Sequence, residues 1–428
     1  MHYIHMKNDF EIYKLNNGME VILAPQIASP ATTVMATVKV GSKYESKEIS
    51  GLSHFLEHMT FKGTKRRPKP IDISSELDGL GASYNAFTGQ EETAYFAKVR
   101  NKHFDQVLDI ISDIYLNSTV PKEELEKERG VIIEEINMYE DIPMQRVQED
   151  FLKVLYGDQP AGWPIAGRKE VIKNFKRKDF VDYRKKHYKS ENTILTIAGG
   201  YSKKNIKEKI ENTFGLLEKR PETKLPEVIE KQKKPAESIR LKKSDQTHLI
   251  VGFRAFDIHD NRRFALGVLG DILGGGMSSR LFKKIRGEMG AAYYIRAGSS
   301  LDTNSGIIEA SAGVSNDKVE KAIKAILGEF KKLKEELVGY KEIKKTKEHI
   351  IGRMFLAIET SDQLANFYAG QRVKELDPAT PGEIAKRINS VTAEQIKSVA
   401  NDLFINKGLN LALIGPFKNK KFLTNGEF

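Results

Sequence analysis

The chain repeats itself. "GASY" (Gly81–Tyr84), a strand-like "TAYFAKV" (Thr93–Val99) and a helix-like "NKHFDQVLDIISDIYL" follow one another in the first half. "GAAY" (Gly290–Tyr293), "GIIEASAGV" (Gly306–Val314) and "NDKVEKAIKAILGEF" follow in the same order in the second. Matches this short arise by chance, but the element order agrees too, and the offset stays near about 210 residues, so we read an internal duplication. A chain of 428 residues is also too long for one ordinary core. Between the halves lies "EKRPETKLPEVIEKQKKPAE" (Glu218–Glu237), rich in proline and charge and poor in large apolar residues. The expected organisation is therefore one domain over residues 1–217, a linker over 218–238 and a second, duplicated domain over 239–428.

Within each half, strands and helices are mixed. "GMEVILAPQ" and "TTVMATVKVGS" read as adjacent antiparallel strands, with "NNG" before the first as a turn signal. Long amphipathic helices follow. The fold class expected is α+β, a largely antiparallel sheet in each domain with helices packed on one face.

Composition excludes several classes. There is no cysteine, so any metal must be held by His, Asp or Glu. The start, "MHYIHMKNDFEIYKL", lacks the pattern of a signal peptide, and no run of about 18 apolar residues exists, so a cytoplasmic protein without a membrane span is expected. The net charge of +11 raises the question of nucleic acid. The lysines, however, sit beside glutamates on helical stretches such as "KVEKAIKAILGEFKKLKEELVGYKEIKKTKEH", the pattern of a solvated face, and no nucleic-acid motif accompanies them.

The sharpest chemical signal is "GLSHFLEHMTFKGT" (Gly51–Thr64). Ser50 is placed to cap a helix running through about Phe61, with Gly63 ending it. On that helix His54 and His58 are one turn apart on one face and can reach a single zinc ion. Glu57 lies beside the second histidine, where a general base for an activated water must be.

A catalytic zinc takes a third protein ligand. "PKEELEKERGVIIEEINMYED" (Pro121–Asp141) reads as a helix. At about 100° per residue, Leu125, Val131, Ile132, Ile136, Met138 and Tyr139 form its apolar face, with Glu128 and Glu135 near the middle of that face. Glu134 points to the polar side. Two inward carboxylates are costly unless paired or coordinated. Glu135 is accordingly assigned as third ligand and Glu128 as the group that holds a ligand histidine.

Together, "SHFLEHMTFKGT", "GASYNAFTGQEETAYF" and "ERGVIIEEINMYEDIP" resemble the pitrilysin or insulinase family of inverted-motif zinc peptidases, most closely its processing-peptidase branch. The resemblance extends through "YGDQPAGWPIAG", "HYKSENTILTIAGGYS" and "LGGGMSSRLFKKIRGEMGAAYYI", nearly the whole chain. Residue by residue it puts the ligands on His54, His58 and Glu135, the base on Glu57 and the supporting glutamate on Glu128. It implies substrate backbone contacts at Asn85 and Ala86 on an edge strand. It implies that Arg286 and Tyr293 contact the substrate carbonyl or the developing oxyanion. The second half lacks the histidine motif and would be the degenerate copy.

What the resemblance implies is a metalloendopeptidase with one zinc per chain, acting on peptides or unfolded segments, its two domains forming half of a clamshell chamber closed by a second copy in a homodimer. Two other functions fit the same fold: a catalytic subunit paired with a degenerate partner, or a non-catalytic assembly protein. Retention of the complete zinc motif together with Arg286 and Tyr293 in one chain favours the self-sufficient enzyme.

Overall fold

The structure, a computed structural model, describes residues 2–7 as backbone and residues 9–423. It contains two sheets. The first is built from β1 (His2–Lys7), β2 (Phe10–Lys14), β3 (Glu20–Pro25), β4 (Ala31–Val38), β5 (Ser83–Thr88), β6 (Thr93–Arg100) and β7 (Thr193–Gly199), in the order β1-β2-β3-β7-β4-β6-β5. The second is built from β8 (Ala236–Leu241), β9 (Gln246–Ala255), β10 (Ala292–Leu301), β11 (Gly306–Ser315) and β12 (Leu409–Gly415), in the order β10-β11-β9-β12-β8.

The duplication is visible in this topology. Read from its β5 edge, the first sheet runs β5-β6-β4-β7-β3, the same path as the second. Each contains one parallel pair at the same place, β3 with β7 and β12 with β8, and the other pairs are antiparallel. The strands so paired, "TILTIAG" (β7) and "LNLALIG" (β12), are buried along their whole length, which is why they read as near-continuous apolar runs rather than alternating ones.

Alternation along the strands sorts side chains between two faces. In the first sheet Val21, Leu23, Val34 and Ala36 pack with Phe55 and Met59 of the helix Leu52–Thr60 and with Val107, Ile111 and Ile114 of the helix Phe104–Asn117. Their neighbours Ile22, Ala24 and Met35 face the other way, onto Leu364, Ala365 and Tyr368 of the helix Ser361–Val373. Arg372 of that helix makes a bidentate pair with Glu20, at 2.6 and 2.9 Å. In the second sheet Leu249, Val251 and Phe253 pack with Leu266, Leu269 and Leu273 of the helix Arg263–Gly274. On the opposite face Ile250, Ala412 and Ile414 meet Val147, Phe151 and Leu155 of the helix Pro143–Tyr156.

The main helical layer thus covers one face of each sheet, and the opposite face is closed by a single helix. That helix comes in each case from the other half of the sequence. One compact unit consists of Met1–Asn137, Pro164–Pro226 and Leu356–Pro378; the other of Met138–Trp163, Glu227–Phe355 and Ala379–Phe428. Contiguous boundaries at 1–217 and 239–428 assign Pro143–Tyr156 and Ser361–Val373 to the opposite units. Linear composition gives no sign of the exchange, because an amphipathic helix advertises an apolar stripe and not the sheet that will receive it. No helix among the described residues is long and apolar enough to cross a membrane.

Candidate active site

The histidine helix spans Leu52–Thr60, and its start differs from the cap expected at Ser50. The N-cap is Gly51, at φ +96°, and the Ser50 hydroxyl is buried without a hydrogen-bond partner. The Glu45 carboxylate does the capping: it accepts from the backbone N–H groups of Gly51 and Ser53, both at 2.6 Å. Burial pushes the Glu45 pKa up to about 8, against the pull of those N–H groups. Gly51 is required twice over. Its φ lies in the left-handed region, and a Cβ would come within 2.7 Å of the Ala166 carbonyl oxygen and 2.8 Å of the Gly167 Cα.

The glutamate helix spans Lys122–Asp141. Its buried residues are Leu125, Glu128, Ile132 and Ile136. The inward stripe is narrower than the sequence suggests. Val131 and Met138, which share its apolar character, are 51% and 48% exposed. Glu128 and Glu135 nevertheless fall where the helix phase puts them, while Glu134 is exposed and accepts a hydrogen bond from Asn137 at 3.2 Å.

His54, His58 and Glu135 come together. Each offers one donor atom within 4.8 Å of the others, the one such group of three among the described residues. His54 Nε2 lies 3.6 Å and His58 Nε2 3.7 Å from the same Glu135 oxygen, Oε2. These separations are too long for hydrogen bonds. They are close to the edge, about 3.4 Å, of a tetrahedron whose bonds are about 2.0–2.1 Å. The donors therefore converge on a common point rather than on one another. Two imidazoles and one carboxylate is also a donor set that catalytic zinc uses, leaving a fourth position open. The residues present fit the metal.

The electrostatics agree. Burial holds the His54 pKa down to about 4, so it is neutral, the form that ligates. For His58 burial again pulls downward, but the hydrogen bond it donates to Glu128 and the nearby carboxylates outweigh it and the net shift is upward. His58 Nδ1 is 2.9 Å from Glu128 Oε1, which leaves Nε2 for a metal. Burial raises the Glu57 carboxyl above its ordinary range, opposed by a hydrogen bond from Thr88.

Two residues at this site carry no motif signal. Thr88 Oγ1 donates to Glu57 Oε2 at 2.6 Å. Lys62 Nζ is 2.6 Å from Glu128 Oε2. Each lies in a stretch quoted above for other residues, and only long-range pairing shows its place. Thr88 ends β5, the edge strand of the first sheet, whose Asn85 and Ala86 line a cavity of about 280 Å³ with Glu57, His58, Phe61, Lys62, Tyr84 and Glu128. Of the stretch "GASYNAFTGQEETAYF" only the first part is edge, since Thr93–Phe96 lie in β6, paired on both sides. Arg286 and Tyr293 belong to the second unit. Both are exposed, Tyr293 at 61%, and the Arg286 guanidinium stacks on the Phe282 ring. The helix Arg263–Gly274, which precedes β10 as the histidine helix precedes β5, contains neither histidine nor glutamate.

Comparison with known proteins agrees with the geometry. Residues 21–169 match the family described as Insulinase (Peptidase family M16), and residues 174–350 match the Peptidase M16 inactive domain. An uncharacterized zinc protease of Rickettsia felis is 34% identical over 96% of this chain and 98% of its own. One of Bacillus subtilis is 32% identical over 95% of this chain and 98% of its own. Among solved structures, a protease from Helicobacter pylori superposes with a TM-score of 0.89 at 23% identity, covering 95% of this chain and 99% of that one. With two consecutive family matches spanning most of its length and relatives aligned nearly end to end, this chain belongs to the insulinase family of peptidases, M16.

Proposed function

We propose that the chain is a zinc-dependent endopeptidase acting on peptides or unfolded segments, with one metal per chain. The observation that carries this reading is the convergence of His54 Nε2, His58 Nε2 and Glu135 Oε2 beside a half-buried carboxylate, Glu57, that is not one of the three donors. Zinc held by those three would supply Lewis-acid chemistry, acidifying a water and polarising a peptide carbonyl. Glu57 takes the proton of the attacking water. Thr88 occupies Oε2, so Oε1 is the oxygen that receives it. As the C–N bond breaks, Glu57 passes the proton to the leaving nitrogen, giving a carboxylic acid and an amine, the second water proton staying on the new C–O oxygen. The peptide lies extended along β5, pairing with the backbone at Asn85 and Ala86, which selects for extended conformation more than for sequence. By the resemblance, Arg286 and Tyr293 donate to the substrate carbonyl oxygen as it gains charge.

Chelation is the direct test. Removing bound metal is expected to cut hydrolysis of a fluorogenic peptide by at least about 10²-fold, and one equivalent of zinc per chain to restore it. Undiminished cleavage by verified metal-free protein would overturn the reading.

The resemblance implies that one chain forms half of a chamber, so a homodimer with two equivalent sites belongs to the proposal. Arg286 and Tyr293 would then serve the zinc of the opposite chain. Glu57→Gln and Tyr293→Phe homodimers are each expected to be strongly impaired. Mixed and allowed to exchange, they form dimers with one site intact and one doubly defective, so activity should recover to about a quarter of wild type. If both groups act within one chain, mixing restores nothing. Native mass spectrometry confirms that heterodimers have formed.

A further inference from the structure

Resting on the metal-site reading above, we propose that Lys62 is a positioning residue for the metal centre, acting through Glu128 on His58. Lys62 follows the histidine helix, one turn beyond His58, and its backbone N–H donates to the Met59 carbonyl at 3.1 Å. Its ammonium meets Glu128 Oε2 at 2.6 Å while the other oxygen, Oε1, meets His58 Nδ1 at 2.9 Å. The Glu128 carboxylate is therefore held at both oxygens. A carboxylate held at one oxygen turns freely, because the terminal torsion of glutamate is broad. Held at two, its plane is fixed, and with it the direction in which His58 presents Nε2. The side chains are sheltered enough for this to matter, with Lys62 23% and Glu128 9% exposed.

Bare Coulomb reasoning makes the opposite prediction. An ammonium near the place of a dication repels it, so deleting the ammonium should tighten metal binding. Positioning predicts weaker binding. The sign of the change therefore decides between the two accounts.

The experiment measures zinc affinity of the full-length protein by competition with a chelator. Lys62→Met is expected to weaken binding by about tenfold, the low end of what losing an outer partner costs a metal site. Glu128→Gln is expected to weaken it by about 10–100-fold. The double variant should be no weaker than Glu128→Gln alone, since Lys62 acts only through that carboxylate. Lys62→Arg, whose fork also fits a carboxylate, should stay within about threefold of wild type. Lys65→Met removes an equal charge from an exposed neighbour and should change nothing. With cobalt in place of zinc, the visible bands of Lys62→Met should shift in the same sense as those of Glu128→Gln. If Lys62→Met destabilises the fold, Lys62→Gln takes its place. Unchanged or tighter binding in the charge-removing variant, losses that add in the double variant, or Lys62→Arg as weak as Lys62→Met would each overturn the proposal. A failure of the metal-site reading would show itself separately, as absence of tight zinc binding by the wild type.

Discussion

Glu57→Gln is expected to keep its metal and lose hydrolysis by about 10²–10⁴-fold, the usual contribution of a positioned general base. Glutamine has the shape of glutamate, and its amide oxygen can still accept from Thr88 Oγ1, so the side chain should stay where Glu57 is. Glu57 is not among the three converging donors, so nothing that holds the ion is touched. What disappears is the group able to take and return a proton. Burial raises the Glu57 pKa, which strengthens the carboxylate as a base relative to an exposed one. Metal analysis beside a fluorogenic-peptide assay reads both halves of the prediction. A zinc-loaded variant with full activity would remove Glu57 from the mechanism; loss of the metal along with the activity would make it a ligand.

The features legible in the sequence are those encoded by local spacing. His54 and His58 four residues apart on a helix must share a face, whatever the rest of the chain does. The phase of Pro121–Asp141 likewise separates Glu135 from Glu134, because adjacent residues on a helix point about 100° apart. The duplication survives as a similar order of elements, and the two sheets turn out to share strand order and the position of their parallel pair.

The features that are not legible depend on which distant segments meet. Ser50 stands where a cap should, yet the N–H groups of the histidine helix are satisfied by Glu45, reached through the turns that precede the helix. Thr88 and Lys62 are unremarkable until Thr88 is seen against Glu57 and Lys62 against Glu128. The exchange of helices is of the same kind. The stripe of Val147, Phe151 and Leu155 predicts burial against a sheet and leaves open which sheet. Hydrophobic burial is non-directional, so the partner is chosen by geometry that no short window contains.

Glu135→Gln is expected to weaken zinc binding by more than the roughly 10–100-fold that losing an outer partner costs, whereas Glu134→Gln should leave it nearly unchanged. The two substitutions are chemically identical and one residue apart. Glu135 Oε2 faces both imidazoles at 3.6 and 3.7 Å. Glu134 is exposed and loses at most its contact with Asn137. Loss of binding cannot be put down to unfolding without a visible sign, because the metal-free state offers a control. Glu57 and Glu135 repel one another across the site. Glu135 also attracts His58, so neutralising it removes a repulsion and an attraction together, and the metal-free Glu135→Gln protein should melt close to metal-free wild type. Added zinc should then stabilise the wild type, by about 2.7 kcal/mol at a hundredfold excess over its Kd, and leave the Glu135→Gln melting temperature almost where it was. Should Glu134→Gln lose the metal while Glu135→Gln keeps it, the phase of the glutamate helix would be wrong by one residue, and with it the identity of the third ligand.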